Sequence, residues 1–200
     1  MRILIITLPR TGGTNFGKWL GKELDYQFIT EPRNYKRQKI RGYTQKDLEK
    51  DDIVVKYTFD ELKYKTKNVV NEISKFDFSI LHVRENVYEE ARSWLYHEFS
   101  KGDTKNLKWH EPYFIYQDWE EENKQNIQSL VEDINGGKNS LLNITFDLYT
   151  TYEGLYYGDE YKTLSQIFEF EPKYLDIINP TNRYLQGTKT FDIKQNKTLL

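Results

Sequence analysis

Between Pro9 and Asn15 the chain gathers an arginine, two threonines, two glycines and an asparagine in seven consecutive residues, PRTGGTN. These residue types suit a phosphate-like anion. Glycines let the main chain come close, N–H groups at a helix N-terminus point at negative charge, and a guanidinium supplies the counter-charge. In the nucleoside-triphosphate loop GxxxxGK[ST] the cation is a lysine that follows the glycines. Here no lysine follows them, and Arg10 precedes them. The structural alternative is a tight turn with a threonine N-cap. A second pair, Arg84 and Ser93, stands nine residues apart. A guanidinium and a hydroxyl suit a second phosphate, because arginine makes forked hydrogen bonds to phosphate oxygens. The alternative there is Arg84 paired with Glu85 or Glu89, with Ser93 filling space.

Both groups need rigid supports, and the surrounding pattern supplies them. The apolar run ILIITL (3–8) reads as a buried parallel strand, and FGKWLGKEL (16–24) has helical spacing. Further strands are expected at 26–30, 53–59, 77–84 and 140–149. Helices are expected at 60–76, 85–100, 107–135 and 161–170, with Gly136-Gly137 ending the third of these. The basic segment 33–47 and the tail beyond Pro172 read as irregular. Repeated strand-then-helix order predicts the α/β class, a central parallel sheet flanked by helices on both faces in three layers, as one domain over residues 1–200. In such sheets ligands sit outside the carboxyl ends of the strands, where both groups fall.

Composition narrows the function. A net charge of -2 argues against general nucleic-acid binding, which needs a basic surface. With 38% hydrophobic and 30% charged residues the chain reads as soluble and globular. The absence of cysteine excludes a disulfide framework, a cysteine–zinc site and a thiol nucleophile. The apolar stretch 3–8 is too short for a membrane span and lacks the flanks of a signal peptide, so a cytoplasmic protein without membrane contact is expected.

Taken together, the two groups resemble the sulfotransferase family that uses 3′-phosphoadenosine 5′-phosphosulfate (PAPS), in its bacterial and phage-type form. PRTGGTNF is similar to the family's 5′-phosphosulfate loop, P-[KR]-[ST]-G-[ST]-T. LHVRENVYEEARSWLYH resembles the 3′-phosphate motif, in which a strand-end arginine precedes a helical serine, and its nine-residue interval matches many bacterial members. Weaker echoes are ITEP (29–32), VVKY (54–57), LKWH (107–110), ITFDLY (144–149) and NRYLQGTKTFDIKQNK (182–197). The chain departs from the family at Gly13, where threonine or serine is frequent, and at Asn15, where an aromatic or aliphatic residue is usual.

The resemblance implies a P-loop-like sulfotransferase fold, PAPS as donor, adenosine 3′,5′-bisphosphate (PAP) as product, and no metal. It implies that Arg10 contacts the bridging oxygen and the sulfuryl group. Thr11, Gly12, Gly13, Thr14 and Asn15 hold the 5′-phosphate, and Arg84 and Ser93 hold the 3′-phosphate. Arg183 or Lys194 of the tail closes over that phosphate. The acceptor would be a hydroxyl or amine of a small molecule or carbohydrate, attacked in line, with the protein positioning reactants and neutralising developing charge. Animal members carry a histidine base in a "KTH" motif. Lys56-Tyr57-Thr58 stands in that place, so the base is assigned to Glu31, as in some bacterial members. His97 and His110 are alternatives, and His82, alternating within a strand, is expected to be packed. Trp109 and Tyr113 are candidates for an acceptor pocket, and the basic residues of 33–41 for attracting an anionic acceptor. Competing readings are a nucleotide kinase, opposed by the missing GK[ST] and the lack of a Mg²⁺-carrying carboxylate beside the loop, and a nucleotide-binding protein without catalysis.

Overall fold

The computed structural model describes residues 1–33, 43–102 and 117–179. At its centre is β1 (Arg2–Thr7), in which Ile3, Leu4, Ile5 and Ile6 are wholly excluded from solvent. A strand with no polar face must be covered on both sides and flanked on both edges. β1 pairs in parallel with β3 (Ile53–Thr58) and with β4 (Phe78–Val83). β2 (Gln27–Thr30) and β5 (Leu148–Thr151) complete an all-parallel sheet in the order β2-β3-β1-β4-β5.

Strand alternation divides the core in two. Ile3, Ile5, Val54 and Ile80 pack with Phe16, Trp19 and Leu20 of α1 (Gly13–Leu24), Leu155 of α6 (Tyr152–Tyr156) and Leu164 of α7 (Glu160–Ile167). On the opposite face Leu4, Ile6, Val55 and Leu81 pack with Val69 of α2 (Thr66–Ile73), Ala91 of α3 (Val87–Gly102) and Ile127, Ile134 and Leu141 of α5 (Lys124–Leu142). A short α4 (Gln117–Glu122) precedes α5, and Arg92 of α3 reaches its Glu120 at 3.0 Å. The expected parallel sheet with helices on both faces is therefore present. From β1 the chain runs outward to β2, and from β4 it runs the other way to β5. The carboxyl ends of β1 and β4 thus flank a topological switch point.

Several expected boundaries move. Helix α1 starts at Gly13 rather than at 16, and residues 60–65 form turns ahead of α2, so the helix expected over 60–76 shrinks to 66–73. Gly136-Gly137 does not end a helix: α5 continues to Leu142. A β-carbon on Gly137 would lie 3.4 Å from Leu8 Cδ2 and 3.8 Å from Phe59 Cδ1, ordinary contact distances, so α5 packs against the strand ends here with room for a small side chain and not for a large one. The strand expected at 140–149 is shifted to Leu148–Thr151. Ile144 and Phe146 are buried in the connection, so the apolar run belongs to the core without joining the ladder. The late helix occupies 160–167 instead of 161–170, and α6 was not signalled in the sequence.

Candidate functional site

The β1–α1 loop is built from close contacts that only its residues permit. Arg10 and Gly12 both adopt left-handed backbone, with φ of 66° and 77°. A non-glycine residue there costs about 1–2 kcal/mol, which the surroundings must hold in place. A β-carbon on Gly13 would clash with Thr7 Cγ2, so a threonine there requires Thr7 or the first turn of α1 to shift. Asn15 donates from Nδ2 to the Ile177 carbonyl at 3.3 Å, fastening α1 to the 3-10 turn Leu175–Ile177. Both departures from the family pattern thus have local structural causes. The Thr11 hydroxyl donates to the Leu8 carbonyl at 3.0 Å, inside the loop. The cap of α1 is Gly12, so the threonine N-cap alternative does not hold. Among the described residues no side chain caps this N-terminus, and its first turn carries no acid. Its leading N–H groups and positive dipole end therefore meet no carboxylate of that turn.

His82 fixes the loop from beneath. Its Nε2–H donates to the Thr11 carbonyl at 2.8 Å, and Nδ1 accepts from the Thr150 hydroxyl at 2.9 Å. Its ring lies 4.9 Å from that of Phe16. Burial, aided by nearby Lys56, pushes its pKa down to about 4 despite the Thr11 bond. His82 is a neutral, packed strut, as its position in the strand suggests. Tyr156 supports the loop from the other side, donating its hydroxyl to the Gly12 carbonyl at 2.9 Å.

The two motifs meet at the switch point. Arg10 Nε donates to Ser93 Oγ at 3.2 Å across 83 residues of sequence. Arg84, which directly follows β4, makes no side-chain hydrogen bond to either of them among the described residues. Its guanidinium lies over the Tyr152 ring at 4.6 Å, and its Nε is 3.7 Å from Glu153 Oε1. The alternative partners Glu85 and Glu89 are not used: Arg92 takes Glu89 at 2.7 Å. Lys138 Nζ donates to the Arg84 carbonyl at 3.2 Å.

At the far side of β3 stands a second charged group. Lys56 Nζ donates to Glu31 Oε1 at 2.7 Å, and both side chains are buried. Lys56 pairs neither with Asp51 nor with Asp52; Asp52 holds the chain's amino terminus. Glu31 has left-handed backbone, φ 49°, which turns its side chain back toward β3. β2 lies two strand spacings from β1, about 10 Å. Glu61 joins this group, accepting from the Thr58 N–H and hydroxyl, with burial pushing its pKa up to about 7.

Arg183, Lys194, His110, Trp109, Tyr113 and residues 34–42 of the basic segment lie outside the described residues, and His97 falls within α3. Sequence reasoning missed Tyr152 and Tyr156, which lie against Gly12, and Glu153, which meets the β4–α3 junction; all three follow β5, which ends at Thr151. Among the described residues no cluster of three or more His, Asp or Glu is arranged for a metal ion, and no helix is long and apolar enough to cross a membrane. No protein-family model, curated protein or solved structure matches this chain.

Proposed function

We propose that the chain is a PAPS-dependent sulfotransferase with a P-loop-like core, acting on a hydroxyl or amine of a small-molecule or carbohydrate acceptor. The observation that carries this reading is the 3.2 Å bond from Arg10 to Ser93, which joins the two phosphate motifs at the sheet's switch point. The N-terminus of α1 supports it, because a glycine cap without a side chain and a first turn without an acid suit the 5′-phosphate. In this reading the acceptor oxygen attacks sulfur in line, the bond from sulfur to the bridging oxygen breaks, and the adenosine bisphosphate leaves with the electron pair. Arg10 neutralises charge on the bridging oxygen. Glu31 takes the acceptor proton once Lys56 yields it, and Arg84 faces the 3′-phosphate.

The Glu31–Lys56 contact favours one other reading, a nucleotide-binding protein that does not transfer, since a carboxylate held by an ammonium is a poor base. Release of adenosine 3′,5′-bisphosphate from PAPS, followed across a panel of phenols, sugars and amines, separates the two. Acceptor-dependent release that falls about 100-fold or more in Arg10→Ala supports transfer. Binding of PAPS without acceptor-dependent release, across the panel, supports the binder.

A further inference from the structure

The two helix N-termini at the switch point are prepared differently. That of α1 has no side-chain cap among the described residues and no acid in its first turn. That of α3 is capped by Asn86, whose Oδ1 accepts from the Glu89 N–H at 3.0 Å, and the two N–H groups just ahead of the helix are held by Glu153. Glu153 Oε2 accepts from the Glu85 N–H at 2.8 Å and Oε1 from the Asn86 N–H at 3.2 Å. The same carboxylate faces Arg84. Two successive main-chain N–H groups and an arginine are the parts of a phosphate site. Here a carboxylate of the chain itself fills them.

The hold is incomplete. At 3.7 Å the Arg84–Glu153 contact is an ion pair beyond hydrogen-bond length, and Arg84 Nε is buried with no hydrogen-bond partner. Another carboxyl nearby is Glu90, one turn into α3, fully buried with neither oxygen hydrogen-bonded among the described residues. Burial pushes Glu90 up to about 8 against the pull of Arg84 and Lys138, so it is mostly protonated at pH 7 and brings little charge to Arg84. Glu153 is the charged competitor, and it is part-exposed, at 27%, on the short helix α6.

We propose that Glu153 is a resident counter-anion of the β4–α3 junction, which an anionic group of the ligand must displace to reach Arg84 and the Glu85 and Asn86 N–H groups. The inference rests on the two-phosphate reading for the identity of that group. Glu153 thereby sets how strongly the site prefers a ligand with a second phosphate over one with a single phosphate. It is a specificity-determining residue for the donor rather than a catalytic one.

Calorimetry on the full chain compares wild type with Glu153→Gln, which keeps the size and acceptor oxygen but removes the charge. Adenosine 3′,5′-bisphosphate should bind Glu153→Gln about tenfold more tightly, the scale of one charge-assisted hydrogen bond. Adenosine 5′-phosphate should bind both alike. Equal bisphosphate affinities, or the same gain for both ligands, overturn the proposal. Glu153→Ala should show the same gain, so the test does not depend on one variant folding. Inorganic phosphate, followed by amide NMR, tests the junction without reference to the donor. It should move the Glu85 and Asn86 N–H resonances in Glu153→Gln at concentrations that leave wild type unmoved. If the bisphosphate binds none of the proteins while phosphate moves those amides, the donor reading falls and the role of Glu153 stands. Still amides in both proteins overturn that role.

Discussion

At Gly13 a β-carbon would clash with Thr7 Cγ2, so Thr7 or the first turn of α1 must shift to admit one. Gly13→Ala should destabilise the fold by about 1–3 kcal/mol, as overpacking in a dense site does, and weaken anion binding by displacing the first turn of α1. Chemical denaturation and calorimetry on the same variant check both. The Glu31–Lys56 pair yields a sharper residue-level test. Lys56→Met removes the ammonium beside a buried carboxylate and should cost roughly 3–5 kcal/mol, while Lys56→Met with Glu31→Leu should recover most of that loss. A denaturation series showing the double variant no more stable than the single one contradicts the pairing. The approach of Arg10 to Ser93 and the turn at Gly12 were legible in the sequence because their residue types and spacing single them out as a candidate anion site. Glu153 was not, because its partners Glu85 and Asn86 stand 68 and 67 residues away and no local pattern links them. Nor does any spacing show that Glu31 answers to Lys56 rather than to solvent.

Among the elements, β1, α1, β3 and β4 were readable because unbroken β-branched runs and one amphipathic stripe admit few alternatives. The stretch from 136 to 152 was not. A glycine pair and an apolar run there imitate a helix stop followed by a strand. Tertiary packing decides otherwise: Gly137 sits against Leu8 and Phe59, and Ile144 and Phe146 fill the core from an unpaired connection. This makes a prediction specific to α5. Gly136 lies within the helix, and a β-carbon there meets nothing within 4 Å. Gly136→Ala should therefore stabilise the protein by about 0.5–1 kcal/mol through helix propensity and a less free unfolded chain. Gly137→Leu should destabilise it, because the larger side chain must push α5 off the sheet. Urea midpoints moving in the same direction for both variants would contradict this packing.

For the whole molecule, the buried ionisable groups tie stability to pH. Glu90 has its pKa raised from 4.5 to about 8 by burial. A group raised on folding contributes stability that is full below its unfolded value and is lost as pH rises toward the folded one. Relative to Glu90→Gln, wild type should lose roughly 2–5 kcal/mol between pH 4.5 and pH 8. His82, lowered from 6.5 to about 4, acts in the opposite sense and removes stability as pH falls through that window. Denaturation at pH 5 and pH 8 for wild type and Glu90→Gln checks the first sign: a constant difference between the two proteins contradicts it. At this scale the α/β class and the convergence of two distant motifs on one switch point were legible, because parallel-sheet topology gathers strand ends at one edge. The account stands most directly on whether that switch point is a two-phosphate site. Calorimetric titration of the wild-type chain with adenosine 3′,5′-bisphosphate in a chelating buffer, beside ATP with Mg²⁺, decides it. The account predicts saturable one-to-one bisphosphate binding that needs no metal, exceeds that of ATP, and is weakened in Arg10→Ala and Arg84→Ala. No binding of the bisphosphate, or binding indifferent to both substitutions, would contradict it.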